Sequence, residues 1–511
     1  MSKANLDALI PREDFDIDSE TTSSQSLGDR LKVSELLKGE GFFYSALRKP
    51  DFQRETSDWD KEKIASFVKS FIDGDLIPSI ILWQAGQYIF VIDGAHRLSA
   101  LIAWVNDDYG DGFISQSFFN HDIESEQKRI AEQTEKHVNK TVGSYKDYMD
   151  AIRDPNNANK DKLSIANKLG YISLQLQWVT GSAAKAESSF FTINQKATPI
   201  SETEISILKA RKKPHAMASR AILRSGGGHK YWKEFKSTTQ DTIQTLAKEL
   251  NENLFTPEIK KPIKTLDLPL AGKGYSSNSM SLIFELVCLA NNTVSKSIQD
   301  DLDGSETIAY LTNTNKIIRR LTTTHQSSLG LHPAVYFYSE KGRYQPTAFM
   351  AWVEIIKEFD QQHSKFIEFS NKRELLEKYL IQNKHLTNQV TLKYGSGLKG
   401  FKPLKELYLL IIESISTNNV EMKSTLKKEY PYLNFDYFGD TSTNPDFNAN
   451  TKSEIFITTA LETATKCALC NGYIHMNSIS IDHIQRKQDG GVGNRDNGQI
   501  SHPFCNSTLK N

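Results

Sequence analysis

Two short strings near the C-terminus pair metal-binding residue types at knuckle spacing, Cys467-Ala-Leu-Cys470 and His502-Pro-Phe-Cys505. Three thiolates and one imidazole suit tetrahedral zinc, so Cys467, Cys470, His502 and Cys505 are the expected ligands of a structural ion. Between the pairs, "SISIDHIQRKQDGGVGNRDNGQIS" carries Asp482, His483 and Asn497, and Asn506 follows directly on Cys505. Hydrolysing a phosphodiester needs a base for water and a cation for the departing oxygen. An imidazole titrates near neutral pH, which makes His483 the candidate base. Asp482 and Asn506 offer hard oxygen ligands to Mg2+ or Mn2+, which would stabilise the developing negative charge. Zinc at Cys505 would pin a helix start and so fix its neighbour Asn506.

The elements that must position these side chains are short. "SISID" alternates as a half-buried strand does and delivers Asp482 and His483 at its end. "GGVGNRDNG" reads as a turn, "QIS" as a second strand, and a helix is expected from about Pro503. This ββα order, with its Asp-His, Asn and final Asn, resembles the HNH nuclease family over about the last forty-five residues. The resemblance implies that Asn497 holds the loop and orients His483 through a hydrogen bond. It also implies cutting of double-stranded DNA to leave a 5′-phosphate. Two positions depart from the family: Asn506 stands where histidine is frequent, and His502 where a cysteine is more usual.

A second informative string is "FVIDGAHRLSAL". A strand runs into Asp93-Gly94, and a helix opens near Ala95 with His96 and Arg97 in its first turn. Helix N-termini favour anions, and a guanidinium is a forked donor suited to phosphate. A glycine at a strand–helix corner is also a plain structural device. Its surroundings extend the pattern: Phe52-Gln53-Arg54 with Trp59, Ile77-Pro78, then Phe191 with Asn194, Pro199 and Ser201. Over about 42–210 these residues resemble the ParB/sulfiredoxin-like family known from GmrSD-type modification-dependent restriction enzymes. The resemblance implies a nucleoside triphosphate at Asp93, Gly94, His96 and Arg97, with Arg54 and Asn194 contributing. Ala95-His96 replaces the family's two glutamines, which leaves the nucleotide's identity and its hydrolysis open.

Further elements follow from periodicity. "SDWDKEKIASFVKSFIDG" places Ile64, Phe67, Val68 and Phe71 on one helical face, with Ser57 or Asp58 as cap and Gly74 as stop. "IPSIILWQAGQYIFVIDG" reads as a hairpin, and Leu98, Leu101, Ile102 and Val105 line the helix after it. Residues from about 120 to 430 read as mainly helical. "PYLNFDYFGDTSTNPDFNANTKSE" has linker composition. The expected architecture is therefore α+β and multidomain. A flexible arm (1–40) precedes a ParB/sulfiredoxin-like α/β domain (41–210), a helical domain (211–435), a linker (436–452) and a zinc-stapled ββα-metal module (453–511).

Composition bounds the function. At 511 residues, with 38% hydrophobic and 24% charged residues, the chain is long enough for two or three globular domains. No apolar run reaches the roughly 18 residues a membrane helix needs, and the N-terminus lacks a signal core, so a cytoplasmic protein without membrane partners is expected. Of four cysteines, Cys288 sits alone in an apolar run and reads as core packing, while three gather at the end as for a metal. Net charge is zero, so contact with nucleic acid must be local. The densest basic run, Lys209 to Lys236, holds nine Lys or Arg against one acid, with Tyr231 and Trp232 as candidates to stack on a base.

The combined expectation is an HNH endonuclease governed by a ParB-like sensor, in restriction of phage or modified foreign DNA. Two alternatives stay open: a nucleic-acid-binding regulator with a purely structural zinc module, and a nucleoside triphosphate hydrolase with an auxiliary HNH part. The sequence leaves oligomeric state and a separately encoded defence partner undecided.

Overall fold

A computed structural model describes residues 3–13, 28–50, 53, 56–119, 121, 123, 125–197, 206–207, 209–227, 231–274, 279–293, 297–415, 419–436 and 446–509. They fall into two compact units, Met1–Arg211 with Gly227–Tyr231, and Lys212–Gly226 with Trp232–Asn511.

The first unit holds a six-stranded mixed sheet. Its strands are β1 (Arg12–Glu13), β2 (Arg30–Leu31), β3 (Leu47–Pro50), β4 (Ile80–Ala85), β5 (Tyr88–Asp93) and β6 (Leu174–Val179), in the spatial order β1-β3-β5-β4-β6-β2. The expected hairpin is β4–β5, paired antiparallel through Ala85↔Tyr88. Only Gly86 and Gln87 separate the strands, and Gly86 takes φ 55°, the left-handed value that two-residue hairpin turns demand. Alternation sends Trp83, Ala85, Phe90 and Ile92 into a core closed by Ala186 and Phe190.

Helix α1 (Lys61–Asp73) is capped by Asp60, whose carboxylate accepts from the Lys63 N–H, rather than by Ser57 or Asp58. Gly74 stops it at φ 81°. Its buried stripe is Ile64, Ala65, Val68, Phe71 and Ile72, with Phe67 only half-buried at the edge. Helix α2 (Ala95–Asn106) buries not one face but nearly its whole circumference, Ala100, Ala103 and Trp104 included, because it lies inside the unit. Helices α3 (Ser125–Val142) and α4 (Ala183–Ala197) complete the elements used below; α3 packs on α1.

The first residues correct the expectation of a loose arm. Ala4, Leu6, Ala8, Leu9 and Ile10 are buried, and Arg12–Glu13 forms the edge strand β1. The acidic look of this segment misled because Asp7 is itself buried. Its carboxylate takes Lys49 Nζ at 2.6 Å, Arg12 at 2.7 Å and the Thr56 N–H at 3.1 Å. A buried charge so paired and hydrogen-bonded is tolerated where a lone one is not. Residues 14–27 of the expected arm lie outside the described residues.

The second unit is helical, with α5 (Pro214–Leu223), α6 (Ser305–Leu321), α7 (Pro346–Asp360), α8 (Ser364–Gln382), α9 (Phe401–Ser414) and α10 (Ala449–Thr463) among its members. At its centre Trp352 of α7 stacks on Tyr408 of α9, ring centroids 5.6 Å apart. The C-terminal strands β7 (Ser480–His483) and β8 (Gly498–Ser501) belong to this unit. So does α10, which buries Ser453, Ile457 and Leu461, with Ser453 Oγ accepting from the Ile263 N–H at 3.0 Å. The segment after residue 446 thus shares the helical core, which explains how so short a piece finds apolar partners. Residues 437–445 of the expected linker lie outside the described residues. No helix of the described residues is long and apolar enough to cross a membrane.

His215 of α5 gives this unit a pH dependence. Its ring is buried 5.3 Å from the Phe284 ring, and burial, then the Lys213 charge, push its pKa down to about 4. A histidine depressed in the folded state contributes stability above its unfolded pKa of about 6.5, and that contribution drains away as pH falls toward 4. Thermal melts of the wild type and His215→Leu between pH 7 and pH 4 are expected to converge with acid. The lost difference should be at most about 3 kcal/mol.

Candidate functional site

The C-terminal hairpin ends are held by one cluster. The Sγ atoms of Cys467, Cys470 and Cys505 and a ring nitrogen of His502 lie within 4.8 Å of one another, all buried. Nδ1 is the inward nitrogen of His502, 3.3 Å from Cys470 Sγ and 3.9 Å from Cys505 Sγ. Nε2 faces the Tyr473 carbonyl at 3.0 Å. A ligand imidazole ordinarily uses its second N–H in this way, which fixes the tautomer. Burial first, and the Arg373 charge next, hold His502 below the usual imidazole range, so the ring is in the neutral form that a metal requires. Cys467 receives hydrogen bonds from both other thiols and is held far below the ordinary thiol range, while Cys470 is pushed up to about 11. Sulfurs this close share protons until a cation replaces them. The backbone N–H groups of Leu469 and His502, each 3.4 Å from Cys467 Sγ, add the donors a thiolate needs. The donor set fits zinc.

Local sequence explains the frame. Strands β7 and β8 pair antiparallel with Asp482↔Gln499 and His483↔Gly498 in register. Alternation turns Asp482 inward, 5% exposed, and leaves its neighbours Ile481 and His483 more open. Gln499 Nε2 donates to Asp482 Oδ2 at 2.7 Å. After Pro503 the chain makes a helical turn, of π type over Cys505–Leu509. It carries Asn506 back onto β7: the amide NH2 donates to Ser480 Oγ at 2.7 Å and to the Ile481 carbonyl at 3.2 Å. A carbonyl only accepts, so this contact fixes the amide orientation and leaves Oδ1 as the end suited to a cation. Asn506 is thus held against the first half of β7, the strand whose second half carries Asp482 and His483.

Asn497 braces the intervening loop. Its Oδ1 accepts the Gln485 N–H at 2.6 Å, and its Nδ2 donates to the carbonyls of Gln485 (3.1 Å) and Val492 (2.9 Å). These bonds run to the loop rather than to the His483 ring. Its influence on His483 passes through the backbone, where the Ile484 N–H donates to the Asn497 carbonyl at 2.8 Å. The loop roofs the histidine: a Cβ on Gly493 would sit 3.9 Å from His483 Nε2. Gly491 is required, since a Cβ there would overlap the Gln485 carbonyl. Gln499 and Gln485 were not singled out from sequence, although the hairpin register would have placed Gln499 opposite Asp482.

The front loop is built as expected, with Gly94 at φ 98° between β5 and α2. A Cβ there would come within 2.6 Å of Ile80 Cδ1, so both conformation and space ask for glycine. Arg97 bonds within the chain, to Asp93 Oδ2 at 2.6 Å and to the Pro78 carbonyl at 2.5 Å. An arriving phosphate would have to compete with these partners. Trp59 and His96, distant in sequence, stack at 5.8 Å, and Lys63 lies 5.0 Å over the Trp59 ring. Arg54, Phe52, Pro199 and Ser201 lie outside the described residues, as do the side chains of Asn194 and Phe191; Asn194 and Phe191 contribute backbone to α4. Trp232, a candidate for base stacking, is fully buried and unavailable for it. In the same basic run Lys209, Lys212, Lys233 and Lys236 are exposed.

A six-stranded mixed sheet in one unit, with a helical second unit ending in a Cys3His cluster, defines a two-unit α+β protein with a zinc-type centre. Residues 33–211 match the family model of the GmrSD restriction endonuclease, N-terminal domain. No curated protein and no solved structure matches the chain. The family match ends at the last residue of the first unit's main segment, yet begins after the buried residues 3–13.

Purified protein is expected to carry one zinc per chain. Metal analysis should find it lost in Cys467→Ser and retained in His502→Cys; an equal content in all three would contradict the ligand assignment. Gly491→Ala should displace the loop while leaving zinc in place, seen as faster hydrogen exchange across 485–497 only.

Proposed function

We propose that the chain is a metal-dependent DNA endonuclease of the HNH type, governed by its GmrSD-type N-terminal domain, that restricts phage or modified foreign DNA. One observation carries the reading. The Cys3His cluster lies next to the turn bearing Asn506, and that turn is hydrogen-bonded to the strand bearing Asp482 and His483, so that the candidate base and both candidate oxygen donors belong to one strand and the turn packed on it.

In this reading Asp482 and the Asn506 Oδ1 would hold a divalent ion beside the scissile phosphate, and that ion would offset charge on the departing oxygen. His483, half-exposed under the loop, takes the proton of the attacking water. Gln499 fixes the Asp482 carboxylate, and Asn497 keeps the loop shaped over the imidazole. Zinc shapes the site without taking part in the chemistry. The loop at Gly94, with the Trp59–His96 stack beside it, is the proposed place for a nucleotide or a modified-DNA feature. The family match supports the restriction context and DNA as substrate.

Supercoiled plasmid with Mg2+ or Mn2+ tests the reading. Wild-type protein is expected to nick it, and His483→Ala to lose at least about 100-fold in rate with its zinc content unchanged. Wild-type cutting by His483→Ala, or cutting indifferent to divalent ions, would abandon the assignment and leave a DNA-binding regulator.

A further inference from the structure

Helix α8 contributes a buried ion pair that the proposed chemistry does not use. Arg373 Nε lies 2.7 Å from Glu377 Oε1, with side-chain exposures of 0% and 1%. Taking such a pair out of water costs several kcal/mol unless its remaining donors and acceptors are filled. They are filled from both sides, by scaffold residues 329, 330 and 336 and by the loop that carries the Cys3His cluster. Arg373 donates through one terminal nitrogen to the Leu329 carbonyl and through the other, at 2.7 Å, to the Gly330 carbonyl, and the first of these nitrogens also lies 3.4 Å from His502 Nδ1. Glu377 Oε2 accepts the Tyr473 N–H at 2.7 Å, and the Tyr473 carbonyl is the partner of His502 Nε2. A path of hydrogen bonds therefore runs from α8 through the backbone of Tyr473 to the His502 ring.

Two glycines show how close the approach is. A Cβ on Gly472 would overlap Arg373 Nε, and one on Gly330 would overlap His502 Cδ2 and Ser478 Oγ. The ligand loop and the helical scaffold meet at backbone contact. Charge points the same way. A divalent ion held by three thiolates and a neutral imidazole is a net anion, and the buried Arg373 guanidinium is a cation whose field reaches Cys470 and Cys505.

We propose that Arg373 and Glu377 are positioning residues of the metal centre, balancing its charge and tying its occupancy to the order of helix α8. The inference rests on the Cys3His cluster holding zinc, but not on the nuclease reading. Removing the ion therefore loosens the helical scaffold as well as the hairpin, and removing the pair releases the ion.

Zinc transfer from the full-length protein to a chromogenic chelator reads this directly. Arg373→Met and Glu377→Gln are expected to release zinc at least about tenfold faster than wild type. Arg373→Lys should fall between, since it keeps the charge and loses the fork. Lys378→Met, exposed on the same helix, should release at the wild-type rate. Hydrogen exchange of the wild type with and without zinc is the second measurement, and it decides the matter if the variants fail to fold. Exchange across 364–382 and 328–331 should rise when zinc is removed. Wild-type release rates in both pair variants, or exchange of α8 indifferent to zinc, would overturn the proposal. Absence of zinc from the wild-type protein would instead overturn the metal reading beneath it.

Discussion

Four side chains from two ends of a hairpin meet within one cluster, and the C-terminal part of the molecule is arranged around that meeting. Between Cys470 and His502 the chain has two four-residue strands and a loop of mostly exposed residues. Such a segment buries too little apolar surface to order itself. A tetrahedral ion held by the cluster would replace the missing core by closing the loop and fixing where both ends lie. Cys505 belongs to the cluster and Asn506 is the next residue, so a constraint at the cluster would pass directly to the turn that packs on β7.

The same segment is not free-standing. Gly472 and Gly330 allow the scaffold and the ligand loops to touch, and the Arg373–Glu377 pair fills polar groups on both. The first unit uses a comparable device at its edge, where Asp7, Arg12 and Lys49 attach the N-terminal residues to β3 and to the segment around Thr56. In each case a buried charge network joins chain segments far apart in sequence. Removing one member of such a network leaves an unpaired charge in a low-dielectric interior, so these contacts specify geometry more firmly than an apolar patch of equal area would.

The front loop has the opposite character. Gly94 sits in a conformation and a space that only glycine fills easily, but the groups around it are half-exposed and engaged with one another, Arg97 with Asp93 above all. A structure in which the donor fork is already bonded within the chain is suited to exchange: a ligand gains what the internal pair gives up. That corner lies within residues 33–211, the span that matches the GmrSD N-terminal domain.

Short-range pattern in the amino-acid sequence determined the β4–β5 hairpin, the Gly94 corner, helices α1 and α2, the β7–β8 order and the Cys3His spacing, because each depends on residues close together along the chain. The four clustered residues were legible as a set because a metal requires particular donor types at small separations. What only the tertiary structure decided are relations between distant residues. Arg373 and Glu377 look like any i,i+4 pair on a charged helix until folding sets them behind His502. Asp7 reads as part of an acidic arm until Lys49 and Arg12 surround it, and Trp232 reads as a stacking ring until the core takes it. Periodicity reports which face of an element is apolar; it carries no information on which distant partner will meet that face, since that is fixed by the packing of the whole chain.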